Sequence, residues 1–556
     1  MSFQSPGTTT LEHPFLGWCQ PDTPPCSCST AELADALRHL HQPFFIAAYN
    51  DSLIPLFSPR LLAGNEPLPP GALALVGFSP PCPPENLGDP SFCRDLGIRY
   101  PYLGGSMAKG ISSVAMALAL GRAGMLAFFG AAGQTVPQVE DAVDQLISGG
   151  VPFGCNLIHS PHDPELEQAL ARLYLGRQVR LIEASAFMKL TLPLVRYRLA
   201  GIRRNDDGTI HTPNRIIAKV SREELAARFF APPPDEFLRE LVASGEITHE
   251  QAELANRIPM AQEITAEADS GGHTDNRPAN ALFPTIASLA SRMQAEHGYD
   301  LRLRVGLGGG VSTPAAAAAA FVMGAAYVMT GSVNQACRES GTSDEVRAML
   351  AETRQADVTM APSADMFEMG VNVQVLKRGT MFPMRAQKLY EIYRAFPSLE
   401  AIPPAEREKL EKTIFRAPLE QIWQTTRDYF LKRAPQQVSR AEQDPRHRMA
   451  LVFRWYLGQA AHWSKDGDTS RRIDYQIWCG PAMGAFNEWV AGSFLERPAN
   501  RNVETVAFNI LFGAALLTRA TPLRCQGFPV PRDILTMKPL ELAQIKEYLS
   551  GENARS

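Results

Sequence analysis

The sequence contains no Cys-x-x-Cys pair, no Walker A loop, no Gly-x-Ser-x-Gly elbow and no long basic run interleaved with aromatics. Each absence excludes something. Its nine cysteines are an odd number, scattered along the chain. The only cluster, Cys26-Ser-Cys28 with Cys19 upstream, sits in a Pro-rich stretch without histidines at metal-ligand spacing, so free thiols and no metal are expected. A net charge of -4 and a pI near 6.3 give no general attraction to phosphates, and nucleic acid is not an expected partner. The longest apolar run, Ala315 to Met329, is bracketed by Pro314 and Gly331; it is too short for a bilayer and reads as a buried helix. Met1 to His13 has neither a basic n-region nor an apolar h-region, so the expected location is the cytoplasm, without membrane association.

What remains is ordinary for a protein with a large core: 45% apolar and 20% charged residues. At 556 residues the chain exceeds one domain, and one α/β barrel of about 250 residues with additions is the economical division.

The most informative stretch is Ile264 to Asn276, I-T-A-E-A-D-S-G-G-H-T-D-N. A strand-like segment leads into Gly271-Gly272, a pair that permits close backbone approach, and then His273. Histidine titrates near neutral pH, so a histidine on such a turn is a candidate proton donor or acceptor. The alternative is a solvated turn histidine.

Residues 1–98 alternate short apolar runs, such as Pro43 to Tyr49 and Ala72 to Gly77, with Pro-dense connections, which predicts a small strand-rich lobe. From Tyr102 the texture becomes βα alternation. Strand segments are expected at Tyr102, Met125 to Phe129, Phe153 to Ile158, Arg180 to Glu183, Arg215 to Val220, Ile264 to Ala268, Arg304 to Leu307 and Tyr327 to Thr330. Near-continuous apolar strands with helix-length spacers indicate a parallel sheet, and eight of them indicate a closed (β/α)8 TIM barrel over residues 99–340. An open doubly wound sheet is the alternative. The spacer 221–260 reads as a helical insertion near the barrel mouth, with a lid as its simplest role. Residues 341–556 read as a helical region, with patterning at Met384 to Ala395, Pro404 to Lys412, Leu419 to Lys432 and Arg448 to His462.

After the seventh strand segment comes Gly308-Gly-Gly-Val-Ser-Thr-Pro, in which Thr313 is a natural N-cap and Pro314 a natural first helical residue. One strand later comes Thr330-Gly-Ser-Val-Asn334. In this barrel type the turns after strands seven and eight converge on a phosphate. A Rossmann reading is weaker, because Val311 stands where the third glycine of Gly-x-Gly-x-x-Gly belongs.

Several stretches carry a resemblance: Gly104-Gly-Ser-Met-Ala-Lys-Gly-Ile, Val179-Arg-Leu-Ile-Glu-Ala-Ser-Ala-Phe, Glu267-Ala-Asp-Ser-Gly-Gly-His-Thr-Asp-Asn-Arg-Pro and Thr330-Gly-Ser-Val-Asn-Gln-Ala-Cys. Asp365-Met-Phe-Glu-Met-Gly-Val and Asp474-Tyr-Gln-Ile-Trp-Cys-Gly-Pro-Ala-Met-Gly-Ala-Phe belong with them. From roughly residue 88 to 520 the chain resembles the PfaD-type trans-acting enoyl reductases of polyunsaturated fatty acid and polyketide synthases. More distantly it is similar to the nitronate monooxygenase-like FMN barrels. The resemblance implies FMN as cofactor and NADPH as electron source. It places the flavin ring against Gly105, Ser106 and Met107, and Asn156 and Lys219 at the flavin's polar edge or ribityl chain, although Lys219 also fits a plain barrel-mouth ion pair. It further implies that Asp269, Gly271 and Gly272 approach the cofactor, and that Gly309, Gly310, Gly331 and Ser332 hold its phosphate. One departure is local: Phe128-Phe-Gly-Ala-Ala-Gly133 continues as Gln134-Thr-Val.

The implied reaction delivers hydride to the β-carbon of an enoyl thioester and a proton to the α-carbon, with His273 as proton donor or enolate stabiliser. The implied partner is the acyl carrier protein of a synthase. A homodimer is compatible with the sequence, which does not determine the oligomeric state. Lys377, Arg378, Arg385 and Lys388 form a basic cluster that could meet an acidic carrier or a cofactor phosphate, or serve as a solvated face, with Asp365 and Glu368 as its expected structural partners. Two other readings compete: a nitronate monooxygenase-like oxidase, which would need no NADPH, and a catalytically idle flavin-binding scaffold. An inosinate-dehydrogenase-like use of the barrel is excluded by the lack of a cysteine after the sixth strand segment.

Overall fold

The computed structural model describes residues 15–22, 30–50, 52–62, 68–159 and 163–550. Cys26 and Cys28 lie outside them; the other seven cysteines are free. The chain divides into two compact units, one drawing on Met1–Pro90, Thr313–Val322 and Thr505–Ser556, the other on Ser91–Ser312 and Met323–Glu504. Sequence order suggested 1–98, 99–340 and 341–556 instead. The segment from Thr505 groups with the N-terminal lobe because of packing that no local pattern announces.

In the first unit an antiparallel five-stranded sheet runs in the order Ser52–Leu56, Phe44–Tyr49, Leu73–Ser79, Gly17–Gln20, Arg60–Leu62. Helix Val503–Cys525 is long and apolar enough by length and composition to cross a membrane, but 78% of its apolar window is buried in the protein. It also carries Arg519, whose buried guanidinium donates to the carbonyls of Leu37 at 3.2 Å and His39 at 2.7 Å and to Ser79 Oγ at 3.0 Å. Such a cation is tolerable inside because its donors are matched one by one. The run Ala315 to Met329 is not a single helix: helix Pro314–Val322, capped by Thr313, ends before Gly324, whose φ is +99°, and a strand follows.

The second unit is built on a closed parallel barrel. Its strands are Tyr102–Gly104, Leu126–Phe129, Gly154–Ile158, Leu181–Ser185, Arg215–Val220, Glu263–Glu267, Arg304–Gly308 and Val328–Thr330, each paired to the next and the last to the first. Burial on both faces explains their near-continuous apolar character. Helix Pro90–Leu96 closes the N-terminal end: Phe92 stacks on Tyr327 at 4.4 Å, and Asp95 pairs with Arg304 at 2.6 Å and Arg215 at 3.5 Å, the first residues of two strands. The C-terminal end is left for chemistry.

Beyond the barrel, strands Val358–Pro362 and Asn372–Leu376 form a hairpin that the sequence reading missed, and the two-residue strand Gly272–His273 adds to it, with Gly272 opposite Gln374 and His273 opposite Val373. The helices expected over this region form, notably Phe382–Ala395, Pro404–Leu410, Leu419–Arg433 and Pro445–Asp466. The last begins where a cap belongs: Asp444 Oδ1 accepts from the Arg446 and His447 amides at 3.0 and 3.1 Å, Pro445 opens the first turn, and Gly467 ends the helix with φ +72°. Its inner face joins a cluster that includes Phe367, Phe382, Phe415 and Trp423.

Candidate active site

One cavity of about 430 Å³ lies at the C-terminal ends of the barrel strands. Every residue singled out for the site lines it: Gly105, Ser106, Met107, Asn156, Lys219, Asp269, Gly271, Gly272, His273, Gly309, Gly310, Gly331 and Ser332. The barrel supplies the floor, and the hairpin, residues 363–365 and helix Pro445–Asp466 supply the far walls. No residue of 221–260 lines it, so the insertion does not cover the cavity in this structure. Its first helix, Glu223–Phe230, instead buries Ala226, Phe229 and Phe230, and Tyr299 Oη donates to the Phe230 carbonyl at 2.8 Å.

The histidine is held by a carboxylate, with a third of its side chain still exposed. Nε2 lies 3.2 Å from each carboxylate oxygen of Asp365, and the adjoining backbone is tied to the hairpin. Burial would lower the pKa of His273, but the hydrogen bond and charge of Asp365 more than offset it, so the imidazole sits above its ordinary value. Burial opposes ionisation of Asp365 too, yet His273 brings that carboxyl down to about 2. Asp365 is therefore the partner of His273 and not of the basic cluster. Glu368 likewise pairs elsewhere, with Arg454 at 3.2 Å.

On the floor, Lys219 lies 3.1 Å from Glu267 and 3.9 Å from the fully buried Glu183. Burial disfavours the ammonium, but the two carboxylates outweigh it and keep Lys219 charged. Glu183 in turn receives the Ser106 amide at 3.3 Å and its hydroxyl. The two glutamates were not anticipated; Glu-Ala-Ser and Glu-Ala-Asp after strands are the signals that could have found them. Asn156 donates its amide to the Glu183 carbonyl at 3.2 Å and to Ser185 Oγ at 2.5 Å, which leaves Oδ1 for a ligand. Lys109 is a further cation on the wall, donating to the Gly458 carbonyl at 3.0 Å; burial, then the neighbouring charge of Lys465, brings it down to about 7.

Two glycine turns test whether a flavin phosphate fits. A Cβ on Gly310 or Gly331 would meet no atom within 4 Å, so both backbones face open space that side chains would fill. Gly310 also has φ +77°. At Gly309, with φ +79°, a Cβ would come within 2.6 Å of the Ala268 carbonyl, so the residue is fixed by the turn itself. These residues fit a phosphate-bearing cofactor. Gly271 serves a different close approach, since its Cβ would lie 2.8 Å from the Cys479 amide nitrogen. Asp269 is engaged as a brace, Oδ1 accepting from Asn276 at 2.8 Å and Gln374 at 2.7 Å.

The basic cluster is largely satisfied from within: Arg385 pairs with buried Asp474, Lys388 with Glu406 at 2.8 Å, and Arg378 with Asp357 at 3.6 Å.

Comparison with known proteins identifies the family. A family model described as the [acyl-carrier-protein] S-malonyltransferase inserted helical domain matches residues 396–475, within the helical region. The chain is 50% identical over 453 residues to one of the component proteins of the polyunsaturated fatty acid synthase of Thraustochytrium sp., covering 80% of this chain and 30% of that protein. It is 42% identical over 436 residues to the polyketide biosynthesis protein PksE of Bacillus subtilis, covering 78% of this chain and 56% of that protein. The chain thus spans about a third to just over a half of the length of these curated relatives. Among solved structures, the enoyl reductase domain of MlnA from the macrolactin biosynthesis cluster of Bacillus amyloliquefaciens matches with a TM-score of 0.76 and 38% identity, over 80% of this chain and 100% of that domain. With that domain covered in full, the chain belongs to the PfaD-type enoyl reductase family.

Proposed function

We propose that the protein is an FMN-dependent enoyl reductase that acts in trans, using NADPH to saturate the α,β double bond of enoyl thioesters carried by the acyl carrier protein of a polyunsaturated fatty acid or polyketide synthase. The observation that carries the reading is the placement of His273, braced by Asp365, in the cavity that also holds Lys219 and both glycine turns. The full overlap with the MlnA enoyl reductase domain supports the reaction class.

In this reading Gly309, Gly310, Gly331 and Ser332 hold the phosphate end, Gly105 to Met107 take the ring, and a bound flavin supplies hydride transfer to the β-carbon. The chain's own residues do the rest. With Nε2 engaged by Asp365, Nδ1 of His273 is the nitrogen left to meet the substrate, and the protonated ring donates to the α-carbon. Asp365 keeps the imidazolium populated and oriented until that transfer. Lys219, with its charge retained, offers positive potential at the floor where negative charge gathers. The hairpin and helix Pro445–Asp466 wall the cavity in which the reacting carbons would sit.

The test is anaerobic: purified protein loaded with FMN is bleached by NADPH, then mixed with an enoyl thioester on a carrier protein or on pantetheine. Rapid reoxidation with formation of the saturated thioester is expected. Oxygen consumption with a nitroalkane in the absence of NADPH, without saturation of the enoyl thioester, would favour the oxidase reading instead.

A further inference from the structure

Arg454, Leu457, Gly458 and Ala461 recur at helical spacing on Pro445–Asp466, and all four line the cavity. Gly458 is anomalous among them. A glycine in the interior of a helix weakens it, so its presence asks for a reason. Two other glycines inside helices have one in packing: a Cβ on Gly121 would lie 2.6 Å from Val151, and one on Gly484 only 2.0 Å from the Gln355 backbone. A Cβ on Gly458 would meet nothing within 4 Å. Its backbone is helical, so no left-handed conformation demands glycine either. A side chain at this position would occupy only the cavity.

The surroundings say what the space suits. Leu457 and Val373 are buried members of the adjoining hydrophobic cluster, and Ala364 and Trp478 pack against it; all four also line the cavity. Apart from Arg454, which pairs with Glu368 at 3.2 Å, the wall is thus apolar and backed by a packed core. It is tied to the floor by the Lys109 hydrogen bond to the Gly458 carbonyl, which sets the helix over the loop following Gly105 to Met107.

Building on the proposed enoyl reductase reading, we propose that the face of helix Pro445–Asp466 centred on Gly458 is the slot for the substrate's acyl chain, and that the missing side chain at Gly458 sets how long or bulky a chain the enzyme accepts. The ligand is the hydrocarbon segment of an acyl thioester beyond the reacting double bond. Gly458 is a specificity residue that supplies no group to proton or hydride transfer.

The experiment compares the parent with Gly458→Ala and Gly458→Leu, both loaded with FMN, using crotonyl and 2-decenoyl pantetheine thioesters. The measured quantity is the ratio of kcat/KM for the long substrate over the short one. That ratio should fall stepwise, by about tenfold or more in Gly458→Leu, the scale at which apolar pockets discriminate methylenes. Flavin content and NADPH bleaching should match the parent. An unchanged ratio overturns the slot, and slower NADPH bleaching with an unchanged ratio overturns it by assigning this face to the nicotinamide. Binding of the saturated decanoyl thioester, followed by tryptophan fluorescence, separates this proposal from the reading it rests on. If the parent turns over neither substrate, the reductase reading fails. Weaker decanoyl binding by Gly458→Leu would still support the slot, and equal or undetectable binding would overturn it.

Discussion

The carboxylate of Asp365 lies 3.2 Å from Nε2 of His273, across 92 residues of sequence. A turn histidine thereby becomes a charged pair inside a cavity, and its titration becomes the most direct handle on the site.

A general acid works in its protonated form, so its rate falls as pH rises through its pKa. Because Asp365 raises the pKa of His273, the oxidation of reduced enzyme by enoyl thioester should hold its plateau to a pH above the ordinary histidine range. In Asp365→Asn the raising interaction is lost while burial, which lowers the pKa, remains. The alkaline limb should then move to lower pH. A pH profile with the limb unmoved would separate Asp365 from the proton transfer.

Replacing His273 by alanine should split the reaction. Bleaching by NADPH needs no protein acid at the α-carbon and should stay near the parent rate, whereas reoxidation by an enoyl thioester should slow by about 10²-fold or more. Stopped-flow absorbance under anaerobic conditions measures both halves.

The glycine turns should respond differently. Gly331→Ala has a permissive φ of -128° and open space ahead of the new methyl, so flavin affinity should fall, by about tenfold, with the melting temperature of the apoprotein unchanged. Gly309→Ala forces a methyl to 2.6 Å from the Ala268 carbonyl in a left-handed backbone, so it should lower stability as well as flavin retention. Equilibrium dialysis and thermal melts of the two apoproteins distinguish the effects.

Arg385→Glu tests the basic cluster. Asp474 is fully buried and also receives Tyr456 Oη at 2.8 Å, so reversing its partner's charge should cost about 3 kcal/mol or more of stability. Urea unfolding measures it. An unaltered midpoint together with a raised KM for carrier-bound substrate alone would restore the docking role.

The barrel was legible because its strands are short apolar segments at regular spacing, and Thr313-Pro314 marked a helix start by local chemistry. Gly310 and His273 could be named because they follow strand ends, where this fold concentrates its chemistry, whereas Lys219, inside the strand Arg215–Val220, was named through the family resemblance. Asp365 was misassigned because nothing near it in the chain points to His273; the pairing arises only when Asn372–Leu376 folds beside Gly272–His273. Arg385 looked like surface charge for the same reason, its carboxylate lying 89 residues away. The grouping of the segment from Thr505 with the N-terminal lobe is equally a long-range outcome. Periodicity and capping report neighbours along the chain, and these contacts are between strangers in it.

The short ladder between Gly272–His273 and Asn372–Leu376 makes the aim of the imidazole a matter of strand alignment. Successive side chains on a strand point to opposite faces, so a slip of one residue would turn His273 away from Asp365 and out of the cavity without breaking the barrel. The proton donor is therefore indexed by main-chain hydrogen bonds to the same hairpin whose connecting segment carries its partner, Asp365. An insertion or deletion in that hairpin would silence the protonation step as surely as removing the ring.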